Sequence, residues 1–161
     1  MPKKNKKIFE AAKYFIKTSE EQSTEKPEFK IDALKLQKLL YYTQAWSLVI
    51  NDKPAFPDKF EAWIHGPVNH ETWTEFRTFN FDDKHPDLKV DESLFSEKDK
   101  KILSIVWDVY GKFDGKYLET LTHTEDPWLR ARAGINETDR SNQIISEGLM
   151  KSYYEKRLQT K

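Results

Sequence analysis

The chain has 161 residues, enough for one domain with a substantial core, and its 27 Lys and Arg balance 27 Asp and Glu. No net field therefore draws it to nucleic acid or to a membrane, and with no Cys it has no disulfide framework, thiolate nucleophile or Cys-ligated metal. Aromatic residues at 14% argue against disorder, no run approaches a signal peptide or a membrane span, and scarce glycine suits helices. The expectation is a cytoplasmic, mainly α protein forming a single compact domain over residues 1–161, with 1–5 and 159–161 as frayed ends.

Ile8, Phe9, Ala12, Phe15, Ile16 and Ser19 keep helical spacing and predict a first helix over 6–20. Lys3, Lys4, Lys6 and Lys7 ahead of it read as a solvated terminus before a phosphate contact. Residues 19–30 turn polar and form a loop, and Asp32 stands at the N-cap position of the next helix. That helix is the centre of the prediction. Over 35–50, Leu36, Leu39, Leu40, Thr43, Trp46, Ser47 and Ile50 share one face, while Leu34, Tyr41, Ala45, Leu48 and Val49 cover much of the rest. A helix apolar over most of its girth must be packed on several sides. Its polar exceptions, Lys35, Gln37, Lys38 and Gln44, read as a solvated seam rather than a polar contact line.

Pro54 and Pro57 break this helix. Phe60, Ala62 and Ile64 alternate with Glu61, Trp63 and His65, the period of a strand. Gly66-Pro67 then reads as the start of a helix over 67–79 that carries Val68, Thr72, Trp73 and Phe76. Residues 81–95 are an acidic excursion. Ser96 and Asp99 suggest a capping box for a helix with the stripe Ile102, Leu103, Val106, Val109 and Tyr110, ended by Gly111. Asp114-Gly115 marks a turn before a short helix with Tyr117, Leu118 and Leu121. Pro127 starts another with Trp128, Leu129 and Ala131. Ser146 caps a last helix that buries Leu149, Met150, Tyr153 and Leu158. The predicted fold is six or seven helices around a buried central helix (about 32–51), with a minimal two-stranded ribbon pairing 60–64 with 143–145.

Little in this text carries chemistry. His65 and His70 are five apart with Gly66-Pro67 between them, so they do not share a helix face as a zincin pair would. A composite metal site from His65, His70 and His123, and with it a metal-dependent hydrolase, is the enzyme alternative. The plainer reading is that His65 and His123 pack with their ring N–H groups on backbone carbonyls. There is no nucleophile elbow and no glycine-rich phosphate cradle. Glu61, Glu71, Glu75 and Glu119 read as surface charges. We therefore expect no catalysis, no cofactor and no metal. Arg130 and Arg132 are a thin basic supply for DNA, which leaves a DNA-binding regulator as a minor alternative. Trp63, Trp73 and Trp128 sit beside turns, where a core edge and a partner contact both use such rings.

Three stretches, LQKLLYYTQAW (36–46), EAWIHGPV (61–68) and LTHTEDPWLRAR (121–132), together with Tyr153-Tyr154 in the last helix, resemble the Panacea domain, the SocA/GepA-like antitoxin domain of bacteria and phages. The resemblance covers about 8–158. Asp126 departs from the Gly more common before Pro-Trp, and Ser47 from a larger residue. The resemblance implies a mostly helical antitoxin of a two-gene module that neutralises a cognate protein toxin by direct contact. A proteolytic adaptor that hands the toxin to a cellular protease is the alternative within the binding class. The motif residues Leu36, Gln37, Lys38, Leu39, Tyr41, Trp46, Trp63, Gly66, Pro67, Val68, His123, Pro127 and Trp128 are implied to build the shared scaffold. The toxin and the residues that touch it are not carried over. We expect that contact on the first helix with its loop to residue 30, and on 81–95.

Overall fold

The computed structural model describes residues 6–159, without the side chain of Gln159. Lys3, Lys4 and, of the expected frayed ends at 1–5 and 159–161, all but Gln159 lie outside the described residues; the backbone of Gln159 belongs to the last turn of the final helix. Helix α1 (Lys7–Gln22) buries Ile8, Ala11, Ala12, Phe15, Ile16 and Ser19 along one stripe. Lys6 and Lys7, expected in a solvated terminus, are tied down instead. Lys6 Nζ lies 2.7 Å from carboxylates of both Asp58 and Glu71, and Lys7 Nζ 2.7 Å from Asp99. A 3-10 turn, Pro27–Phe29, interrupts the loop that follows.

Asp32 caps α2 (Ala33–Ile50), its carboxylate accepting from Lys35 N at 2.8 Å. The chain after α2 forms β1 (Glu61–Trp63) and β2 (Gly66–Val68), an antiparallel hairpin with Trp63 opposite Gly66 and Ala62 opposite Pro67. This overturns the helix expected from Gly66-Pro67. Gly66 adopts φ +107°, a left-handed conformation that closes the two-residue turn at Ile64 and His65. Pro67 sits in the strand opposite Ala62, and its carbonyl is taken by Lys38 Nζ at 3.0 Å instead of by a helical amide. The capping falls to Asn69, whose Oδ1 accepts from Thr72 N at 2.9 Å and starts the shorter α3 (His70–Phe76). The expected pairing of 60–64 with 143–145 survives as one antiparallel bridge. Ala62 N donates to Gln143 O at 2.9 Å and Ile145 N to Phe60 O at 2.8 Å.

Helix α4 (Glu97–Tyr110) carries the full capping box: Ser96 Oγ accepts from Asp99 N, and Asp99 Oδ2 from Ser96 N. Its inward stripe takes Trp107, which leaves Val109 45% exposed. Helices α5 (Gly115–Thr122), α6 (Asp126–Ala131) and α7 (Glu147–Gln159) complete the order. Asp114 caps α5, and Ser146 Oγ accepts from Leu149 N at the start of α7. Tyr117 and Leu158, expected inside, each stand about half exposed. Helix α2 is the hub, packed against α1, α3, α4, α5, α7 and β2. Seven helices and one two-stranded sheet, among the described residues, make the fold mainly α.

Candidate functional site: a clamped hairpin and an exposed face

The polar residues of α2 are not a solvated seam. Lys35, Gln37, Lys38 and Gln44 are all at most 1% exposed. Each is turned onto backbone groups of another segment, which is how a buried polar group avoids its desolvation cost. Gln37 Oε1 accepts from Asn69 N at 2.9 Å while its Nε2 donates to Thr72 Oγ1 at 3.0 Å. Gln44 exchanges two bonds with Phe56, Nε2 to O and Oε1 from N, both at 2.9 Å. Lys35 Nζ donates to the carbonyls of Glu28, Lys30 and Gly111 at 3.1, 3.0 and 2.6 Å. Burial lowers Lys35 to about 8 and Lys38 to about 7, against the weaker opposing pull of carboxylates such as Asp32.

With Lys38 on Pro67 O, the three motif stretches converge on one object, the hairpin backbone. Trp128 Nε1 donates to Trp63 O at 2.8 Å, and Arg132 Nη1 to Ala62 O at 2.9 Å. His123 stacks on Trp128, ring centres 4.0 Å apart, and its ring bonds the Ile64 backbone. Burial lowers the His123 pKa against the opposing pull of Glu119. Gly66 is held close: a Cβ there would lie 2.8 Å from Lys38 Cε and 2.9 Å from Thr122 Oγ1. Leu36, Leu39 and Val68 are buried in the packing beneath, and Pro127 is buried at the start of α6. Asp126 occupies the first position of α6, where a negative charge suits the helix dipole, and Ser47 Oγ donates to Lys53 O.

A second polar knot joins α7 to the hub. Tyr42 and Tyr154 both donate to Glu125 Oε1, at 2.8 and 2.7 Å, and Tyr41 and Tyr154 share a hydroxyl contact at 3.1 Å. Trp46, half buried, donates from Nε1 to Tyr110 Oη at 2.8 Å, and Tyr110 stacks flat on Tyr42. Burial pushes the Glu125 carboxyl up to about 7 and the Tyr41, Tyr42 and Tyr154 phenols well above their usual range. Glu125 carried no mark in the sequence except its place beside Asp-Pro-Trp.

The histidines do not meet as one ligand set. His65, largely exposed at the hairpin tip, places Nδ1 3.1 Å from Glu119 Oε2. Glu119, expected at the surface, is buried. Burial raises its carboxyl, but the His65 bond and the His65 and Lys116 charges outweigh that and leave it lowered. His70 instead faces the Trp63 ring at 6.0 Å and His123 the Trp128 ring. Among the described residues no three His or carboxylate groups converge where a metal ion could sit.

The two segments expected to meet a partner, although far apart in the chain, lie side by side. Lys17 Nζ donates to His85 O at 2.8 Å, Glu20 accepts from His85 N at 3.1 Å, and Glu10 accepts from Asp91 N at 2.7 Å. Lys30 pairs with Asp82, and Lys84 reaches Thr24. Phe79, Phe81, Leu88 and Val90 fasten the underside of the excursion to the core. Outward stand Glu21, Glu25, Glu28, Asp82, Asp83, Asp87, Asp91 and Glu92.

The model of the family described as "Antitoxin SocA-like, Panacea domain" matches residues 36–129, more than half of the chain, and the chain belongs to that family. Membership gives it an antitoxin-type role, with a protein toxin as partner in general terms, in a family that is not typically enzymatic. The matched span runs from the first hairpin-holding turn of α2 through Trp128 and leaves α1 and α7 outside it. No curated protein and no solved structure matches the chain. Among the described residues no helix is long and apolar enough to cross a membrane.

Proposed function

We propose that this protein is the antitoxin of a two-gene module and neutralises its cognate toxin by direct binding, acting in the cytoplasm without cofactor or catalysis. The observation that carries the reading is family membership. Two structural features support it. The polar motif side chains Gln37, Lys38 and Trp128 are buried and turned onto the hairpin and the start of α3, the placement of scaffold groups. The end of α1, the loop after it and the adjacent residues 81–95 carry exposed side chains of mixed charge beside half-buried Tyr14, Phe29 and Phe81, the composition of a polar protein interface. The toxin contact belongs on that surface, and the motif residues belong to the scaffold behind it.

The test is co-expression with the product of the adjoining reading frame, scoring growth and co-purification. Growth rescue with a stable complex is the expected result. Rescue without a complex would replace neutralisation by delivery to a protease or by repression. An adjoining product that is not toxic would remove the antitoxin reading of this locus.

A further inference from the structure

Lys35 is an odd residue to find 1% exposed on the hub helix. Its stem passes the Trp107 ring, 5.8 Å from the ammonium, and the ammonium donates to three backbone carbonyls. Two of those carbonyls, Glu28 O and Lys30 O, belong to the loop that connects α1 to α2; the third is Gly111 O at the end of α4. An ammonium so placed has three donors and finds three acceptors only while the loop follows this path. Any other path leaves a buried cation short of partners, which is the costly way for a polar group to be unsatisfied.

The rest of the loop is ordered around the same point. Phe29 packs its ring 5.7 Å from Trp107, and Trp107 Nε1 donates to Gln22 Oε1 at 2.9 Å. Phe29 N and Lys30 N close the 3-10 turn at 3.0 Å each, and Ile31 N donates to Ser19 Oγ at 3.1 Å. Yet the side chains of Glu25, Lys26, Glu28 and Lys30 all face solvent. The loop thus spends buried polar groups to fix the direction of exposed ones. A free loop would pay its ordering entropy on meeting a partner; this one has paid it beforehand.

We infer that Lys35 is the positioning residue of the toxin-contact loop, its ammonium holding residues 26–31 in the shape that the partner meets. The inference rests on the proposed placement of the toxin contact and goes beyond it by assigning the loop's shape to one buried cation.

Lys35→Met keeps the buried stem and removes the three bonds. Hydrogen exchange on the full chain is the first arm. The amides of Phe29, Lys30 and Ile31 should exchange about tenfold faster or more, while Ala62, Asn69 and Ile145 in and beside the hairpin keep their protection. Binding to the product of the adjoining reading frame is the second arm, and it should weaken about tenfold. Glu28→Lys, which leaves the carbonyl cage intact, should weaken binding with the loop still protected. A Lys35→Met loop that stays protected overturns the positioning role. A loosened loop with unchanged affinity overturns its part in the contact while neutralisation stands. Loss of hairpin protection as well would make Lys35 a general stabiliser and overturn the inference. Failure of the wild-type chain to bind at all sinks the antitoxin reading, and the contact role with it, whatever the exchange arm gives.

Discussion

The hairpin and the 81–95 excursion are both laid on the α-helical body with backbone groups bonded by other elements, and they differ in what their outer edges carry. The hairpin is gripped from beneath by side chains of other elements: Lys38, Gln37, Trp128 and Arg132 each bond one of its backbone groups or one beside it. The excursion is fastened by apolar rings at its underside and by α1 side chains on its backbone at His85 and Asp91, and its rim carries exposed ion pairs such as Lys30 with Asp82. A change beneath the hairpin leaves a buried polar group unpaired, whereas a change at the excursion's rim returns one to water. The first segment is fixed by stability. The second is free to vary in chemistry at little cost, which is the freedom a specificity surface needs.

The sharpest break of this contrast is Trp128→Ala. It empties a core position and strips Trp63 O of its donor, so a loss of about 3–5 kcal/mol in urea unfolding is expected. Lys38→Met tests the grip by its proton linkage. The folded chain holds Lys38 at about 7, below the usual 10.5. Its contribution is therefore present above the unfolded value and lost as pH falls from there through the folded one. The stability difference between wild type and variant should change by about 1.4 kcal/mol per pH unit between roughly pH 7 and 10, wild type gaining as pH rises. A parallel pair of curves would mean that Lys38 is solvated. Glu125→Gln has the opposite sign. Burial raises Glu125 to about 7 from 4.5, so its contribution is present below the unfolded value and lost as pH rises through the folded one. Glutamine keeps an acceptor for Tyr42 and Tyr154 without the charge. It should stabilise the fold by about 3 kcal/mol at pH 8 and by almost nothing at pH 4.5, read from melts at both.

The same contrast explains what the sequence could and could not reveal. The hub was legible because Leu36, Leu39, Leu40 and Ala45 are apolar at helical spacing, and the caps at Asp32, Ser96 and Ser146 because each lies within one turn of the donor it meets. Lys35, Gln37, Lys38 and Gln44 were read outward because periodicity knows only that a polar residue avoids the core. Their partners are carbonyls and amides up to 76 residues away, and backbone groups leave no mark in a sequence. Gly66-Pro67 was misread for the same reason. As a local signal it fits a helix start, and its pairing with 61–63, with the distant ammonium of Lys38 on Pro67 O, makes it a strand. A competing local signal was present: Asn69, a better cap than glycine, lies three residues before Thr72. Glu119 and Glu125 look like any surface glutamates until His65, Tyr42 and Tyr154 are folded onto them. For the contact face, the sequence suggested two segments by their atypical text, and their adjacency through His85 and Asp91 came only with the fold.

The smallest expected effect on stability tests the other half of the contrast. Glu25→Lys and Asp87→Lys change exposed side chains on the loop and on the excursion. Neither should move the unfolding free energy by more than about 0.5 kcal/mol, because an exposed charge has water as its alternative partner. Combined, they should still abolish growth rescue from the product of the adjoining reading frame, since a like charge brought against a fitted surface costs far more in a desolvated contact than on a free one. The reverse pattern would locate the contact elsewhere. If rescue survives both reversals but fails on His65→Glu at the exposed hairpin tip, the grip beneath the hairpin would be holding the binding surface itself. The scaffold and the contact would then be the same element.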